Sequence, residues 1–128
     1  VITKPIIVID AFEEAMKELE SLQRTKTETK HYYSRIVEIF RLYVYRKKGI
    51  LSLQKTTDDL ILQLKDTGLP KEQFEKLSQS LRLSDFVKFA KYLPSDEDDR
   101  KVMEEIRNSI ITIEKSGGQV LPPTGGRI

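Results

Sequence analysis

One histidine, no cysteine and a few clustered carboxylates are what this chain offers for chemistry. His31 is the single side chain whose ordinary pKa lies near neutrality, which makes it the natural general base or imidazole ligand. It stands beside Tyr32 at a helix start, with no second histidine and no thiolate to complete the three or four ligands that zinc takes. Nucleophilic catalysis needs a nucleophile, a base and an orienting group in one cleft, and no Gly-x-Ser-x-Gly nucleophile elbow is present to begin such a set. The acidic clusters Asp58–Asp59 and Asp96–Asp99 fall in the first turns of helices, where the positive end of the helix dipole accounts for them. Gly117–Gly118 and Gly125–Gly126 lack the preceding strand and following Lys-Ser/Thr of a phosphate loop. The expectation is a non-enzymatic protein with no catalytic, cofactor-binding or metal residues.

Binding has more to work with. Charge is laid unevenly along the chain although the total is only +2. Residues 1–23 carry two Lys/Arg against five Asp/Glu, residues 24–55 nine against two, and residues 56–128 eleven against thirteen. The basic middle supplies a candidate patch, Arg41, Arg46, Lys47 and Lys48. Arg35, Lys55 and the tyrosines 32, 43 and 45 lie among them, a pattern compatible with nucleic acid or anionic lipid. Against that, positions 35, 41 and 46 do not share one helical face, and near-neutral overall charge is unlike a DNA-binding domain. A solvated face whose last cations complement a helix dipole is the reading these residues favour, with nucleic-acid binding as the alternative.

The second candidate is 83–94, LSDFVKFAKYLP, where Phe86, Phe89 and Tyr92 cannot all point to one side of a short helix. Two readings stand. The favoured one is a core-plugging helix with Lys88 and Lys91 reaching outward; the other is a partner-binding ridge, for which Asp85, Lys88, Lys91 and Tyr92 are the candidate surface.

These residues must be positioned by helices. Val1–Ile9 reads as an extended arm, since a strand with no partner is not stable. Asp10 with Glu13 begins helix one, 11–23, with Phe12, Ala15, Met16, Leu19 and Leu22 on one stripe. Helix two, from about Lys30 to Lys48, is the most apolar long run. Tyr33, Ile36, Val37, Phe40, Tyr43 and Val44 make its stripe, Tyr32, Ile39 and Leu42 widen it, and Gly49 suits the left-handed cap. Ile50–Lys55 is an apolar connector expected to pack down. Thr56 and Asp59 start helix three, with Leu60, Ile61 and Leu64 inward, ending at Gly68. Helix four is expected over 70–82 after Pro70, with Phe74, Leu77 and Leu81 inward. Ser84 caps a short helix five, Asp85–Tyr92, ended by Pro94. Ser95 caps helix six, which carries Val102, Met103, Ile106, Ile110 and Ile113 and is stopped by Gly117–Gly118.

The division is therefore an arm at 1–9, a helical domain at 10–116 and a Pro/Gly-rich tail at 117–128. Short connections between amphipathic helices imply one compact all-α bundle of five or six short helices. The composition, 38% hydrophobic and 33% charged, is that of a soluble domain, and no apolar run approaches the ~20 residues of a membrane span. The chain opens on Val1 and not on Met, which suggests a fragment of a longer protein with any membrane anchor outside it.

Three stretches taken together, HYYSRIVEIFRLYVYRKKGI, TTDDLILQL and LSDFVKFAKYLPS, resemble a known family. This is the cytoplasmic helical region of bacterial inner-membrane proteins of unassigned activity, commonly encoded beside MoxR-type AAA ATPases and von Willebrand factor A domain proteins in aerotolerance-type operons. The matching positions are Tyr32, Tyr33, Arg41, Tyr43, Gly49, Thr56, Thr57, Asp58, Asp85, Val87, Lys88, Phe89, Ala90, Lys91, Tyr92 and Pro94. VKFAKY is the most specific of these matches, and the likeness spans about residues 10–115. It implies a protein-interaction module on the cytoplasmic side of the inner membrane, held there through preceding sequence. The partner it implies is the ATPase or the von Willebrand domain protein; it carries over no catalytic residue and no cofactor.

Overall fold

The computed structural model describes residues 10–25 and 27–119. Five helices and one 3-10 turn follow in order: α1 (Ala11–Arg24), α2 (Thr29–Lys48), the turn Ser52–Gln54, α3 (Thr57–Leu64), α4 (Lys71–Phe89) and α5 (Asp96–Gln119). No strand occurs among the described residues, and the class is all-α. The arm expected at 1–9 and the part of the tail from 120 lie outside them.

Local chemistry sets most of the ends. The Asp10 carboxylate accepts from the N–H groups of Phe12 and Glu13 at 3.0 and 3.1 Å, so α1 starts where the cap is. The Thr56 hydroxyl accepts from the Asp59 N–H at 3.2 Å, and the Ser95 hydroxyl from the Asp98 N–H at 3.0 Å. Gly49 closes α2 in the left-handed region at φ +73°.

α2 is the element the others cover: α1, α4, α5 and the 3-10 turn all pack on it. Tyr33, Ile36, Phe40, Tyr43 and Val44 are fully buried, and Ile39 is buried with them, which explains why its apolar surface exceeds one stripe. Leu19, Leu60, Leu64, Leu77, Leu81, Met103, Ile106 and Ile110 meet them in the core. Each such side chain removed from water contributes about 1.5–3 kcal/mol, the main favourable term holding the bundle.

Buried tyrosines bring polar hydroxyls into that core, and α5 satisfies them. The Tyr33 hydroxyl donates to the Asp99 carboxylate at 2.7 Å, and the Tyr43 hydroxyl to Glu114 at 2.8 Å, whose other oxygen pairs with Lys47 at 3.2 Å. Tyr32 packs edge-on against Tyr33 and donates to the Asp99 carbonyl at 3.2 Å. Burial, and then the hydrogen bonds to Asp99 and Glu114, push the Tyr33 and Tyr43 hydroxyls well above the ordinary phenol range.

Three expectations need correction. Helices four and five are one helix, α4, which runs without a break through Ser84 and Asp85 to Phe89. Ser84 is no cap there: it is buried, and its hydroxyl donates to the Ser80 carbonyl one turn back at 2.9 Å, so its polar group is satisfied inside the helix. The connector 50–55 packs down through Ile50 and Ser52 only, leaving Leu51 and Leu53 exposed. Helix six, now α5, runs through Gly117–Gly118 to Gln119, three residues into the segment assigned to the tail.

Candidate functional site

The site follows from where α4 stops. Its buried face carries Leu77, Ser80, Leu81, Ser84 and Val87, small serines letting the helix lie close to its neighbours. Phe86 comes nine residues after Leu77, half a turn away on a 3.6-residue helix, and therefore faces out. Phe86 is 57% exposed, Phe89 75%, Tyr92 45% and Leu93 86%. The core-plugging reading of 83–94 is thus correct for Val87 alone among its large apolar residues after Ser84, and the aromatic residues form a ridge on the surface.

The chain turns sharply at the ridge. Lys91 adopts φ +58°, a left-handed conformation that costs a non-glycine residue roughly 1–2 kcal/mol. This reversal brings the Tyr92 N–H onto the Phe86 carbonyl at 3.3 Å. The Tyr92 hydroxyl donates to Asp98 at 3.2 Å, which fixes the ridge to the acidic first turn of α5. The Asp98 carboxyl is held below its usual range, chiefly by accepting the Ser95 N–H.

Beside the ridge lies a cleft of about 600 Å³ between α2, the connector after it and the end of α4. Val37, Leu53 and Phe89 supply its apolar lining; Glu38, Arg41, Lys55, Asp85 and Lys88 supply the charges, with Ser34, Thr56 and Thr57 between. Arg41 builds one wall. Its Nη1 donates to the carbonyls of Ser52 and Lys55, the latter at 2.7 Å, and the Ser52 hydroxyl donates back to the Arg41 carbonyl. Burial lowers the Arg41 pKa from its ordinary value, and the charge of Asp85 acts the other way. The Lys88 ammonium sits 5.1 Å from the centroid of the Phe89 ring, a cation–π distance.

The two candidate sets fare differently. Asp85 and Lys88 line the cleft, both half-buried, while Lys91 and Tyr92 are exposed just after the end of α4 and outside the cleft lining. The basic set is largely engaged within the chain. Arg41 is spent on backbone carbonyls, Arg46 pairs with Glu14 at 2.7 Å, and Lys47 pairs with Glu114, leaving Lys48 half-buried at the helix end. His31 is exposed, and among the described residues no three His, Cys, Asp or Glu stand close enough to hold a metal ion. The candidate set held Asp85, the lysines and Tyr92 but left out Phe86, Phe89, Leu93 and Leu53. The half-turn offset of Phe86 from Leu77 would have pointed to the first of them.

No helix of the described residues is long and apolar enough to cross a membrane. What fold and site define together is an all-α bundle with an exposed aromatic ridge beside a mixed-charge cleft. Comparisons with family models, with curated proteins and with solved structures found no match.

Proposed function

We propose that this chain is a non-enzymatic protein-interaction domain whose docking surface is the ridge Phe86, Phe89, Tyr92 and Leu93 with the cleft beside it. One observation carries the reading: four large apolar side chains, Phe86, Phe89, Tyr92 and Leu93, stand exposed within one stretch of eight residues. Contiguous exposed apolar surface rimmed by charge is the mark of a binding face. Lys88 is half-buried and Lys91 exposed, so both ammonium groups remain available at the rim of this surface.

The resemblance of its Tyr-rich helix and VKFAKY segment supports a setting on the cytoplasmic side of a bacterial inner-membrane protein. There the partner would be the MoxR-type ATPase or the von Willebrand domain protein encoded alongside. A nucleic-acid role draws little support, because three of its four candidate cations already have partners within the chain.

Titration calorimetry of the purified chain against those two proteins tests this. The expected result is saturable binding to one of them, weakened roughly 30-fold or more in Phe86→Ala/Phe89→Ala, the loss of about 2 kcal/mol typical of truncating interface anchors. Binding to either that the double variant leaves unchanged would show the ridge is not the docking surface.

A further inference from the structure

We infer that the segment received at the cleft is an amphipathic helix with acidic flanks. This rests on the docking reading and adds to it the chemistry of the ligand. The warrant is the balance of satisfied and unsatisfied charge around the cleft. Of its two carboxylates, Glu38 accepts from Arg35 at 2.9 Å, while Asp85 has no cation within ion-pair distance among the described residues. Lys55, Lys88 and Lys91 have no carboxylate within ion-pair distance among the described residues. The floor between them is apolar, with Leu53 and Phe89 both at least half exposed. An apolar trough around which three unpaired lysines outnumber the one unpaired carboxylate, Asp85, complements apolar anchors flanked by Asp or Glu.

The same lysines and aromatics would also suit an anionic membrane, but the neighbouring charge speaks against it. Asp96, Glu97, Asp98 and Asp99 follow the ridge directly, and the Tyr92–Asp98 bond holds that acidic turn against it. A flat anionic surface meeting the ridge would meet these carboxylates as well. A helix lying in the cleft need not. The acidic start of α5 from a second copy is a poor occupant, since its own apolar residues Val102 and Met103 are buried.

The test uses the full chain and two labelled synthetic helices of about four turns with identical Leu/Phe anchors, one flanked by Glu and one by Lys. Fluorescence anisotropy is read at low and high salt. The Glu-flanked helix is expected to bind about tenfold more tightly at low salt, with the difference shrinking as salt screens it. Lys88→Glu/Lys91→Glu should reverse the preference. Lys91→Glu alone, at an exposed position, should shift it in the same direction by a smaller factor.

Equal affinity for both helices overturns the acidic-ligand inference and leaves the docking reading standing. Binding of neither helix also overturns it, and the operon-partner titration then decides separately whether the ridge docks anything. Capture by phosphatidylserine vesicles in preference to both helices overturns it in favour of lipid. A dimer in sedimentation that Phe86→Ala/Phe89→Ala dissolves overturns it in favour of self-association.

Discussion

Replacing Arg41 by methionine removes the clamp that builds one wall of the cleft. The side chain leaves the middle of α2 and donates from one nitrogen to the carbonyls of Ser52 and Lys55, while the buried Ser52 hydroxyl returns a bond to the Arg41 carbonyl. A hydrogen bond from a charged donor contributes about 1.5–3 kcal/mol net, and the carbonyls left behind are a further cost. The guanidinium is half-buried, so water replaces part of what is lost and the lower end of the range applies to each bond. The expected destabilisation is about 3 kcal/mol, which for a domain of this size lowers Tm by roughly 10 °C. Arg41→Lys keeps the charge but not the planar guanidinium whose Nη1 reaches both carbonyls, and should recover about half of the loss. Thermal and urea unfolding measure both, and amide exchange at Leu53–Lys55 should accelerate in the methionine variant well before global unfolding. Melting of both variants within about 2 °C of the parent would refute the clamp.

Three further outcomes follow from the same geometry. Tyr33 and Tyr43 hold their protons above the ordinary phenol range in the folded state, so folding stability is fully present below about pH 10 and falls as pH rises past it, because the unfolded phenols ionise first. Melts from neutral to strongly alkaline pH should show that fall, and Tyr33→Phe or Tyr43→Phe should flatten it. Asp85→Pro should cost about 3 kcal/mol or more and shed helical circular dichroism, since α4 is continuous there; tolerance would restore the two-helix arrangement. Lys91→Gly should raise stability by about 1 kcal/mol by relieving the left-handed backbone, seen as a higher urea midpoint with an unchanged slope.

Where the sequence was legible, the signals were local and agreed with one another. Asp10, Thr56 and Ser95 combine a capping side chain with a following acidic turn, Gly49 closes α2, and the wide apolar surface of α2 marked the helix that others must cover. The failure at Ser84–Asp85 came from the same kind of signal. Ser-Asp is an N-cap pair by local chemistry, but tertiary packing overrode it: Ser80 and Ser84 continue the buried face between Leu77 and Val87, and their closeness to neighbouring elements keeps the helix intact. The ridge was hidden for a related reason. Periodicity applied to a helix ended at 82 could not place Phe86, whereas on the continuous α4 it stands half a turn from buried Leu77 while its neighbour Val87 stays in the core. Arg41 as a clamp was not legible either, because its acceptors are backbone carbonyls, to which side-chain patterns give no clue.

The most direct measurement is side-chain NMR with a soluble paramagnetic probe, on the free chain and on its complex with whichever of the two proposed partners binds it. The ring signals of Phe86 and Phe89 and the methyls of Leu93 should be quenched in the free chain and protected in the complex, with those of Phe40 and Leu64 protected in both. Ridge signals already protected in the free chain, or still quenched in a formed complex, would contradict docking through this face.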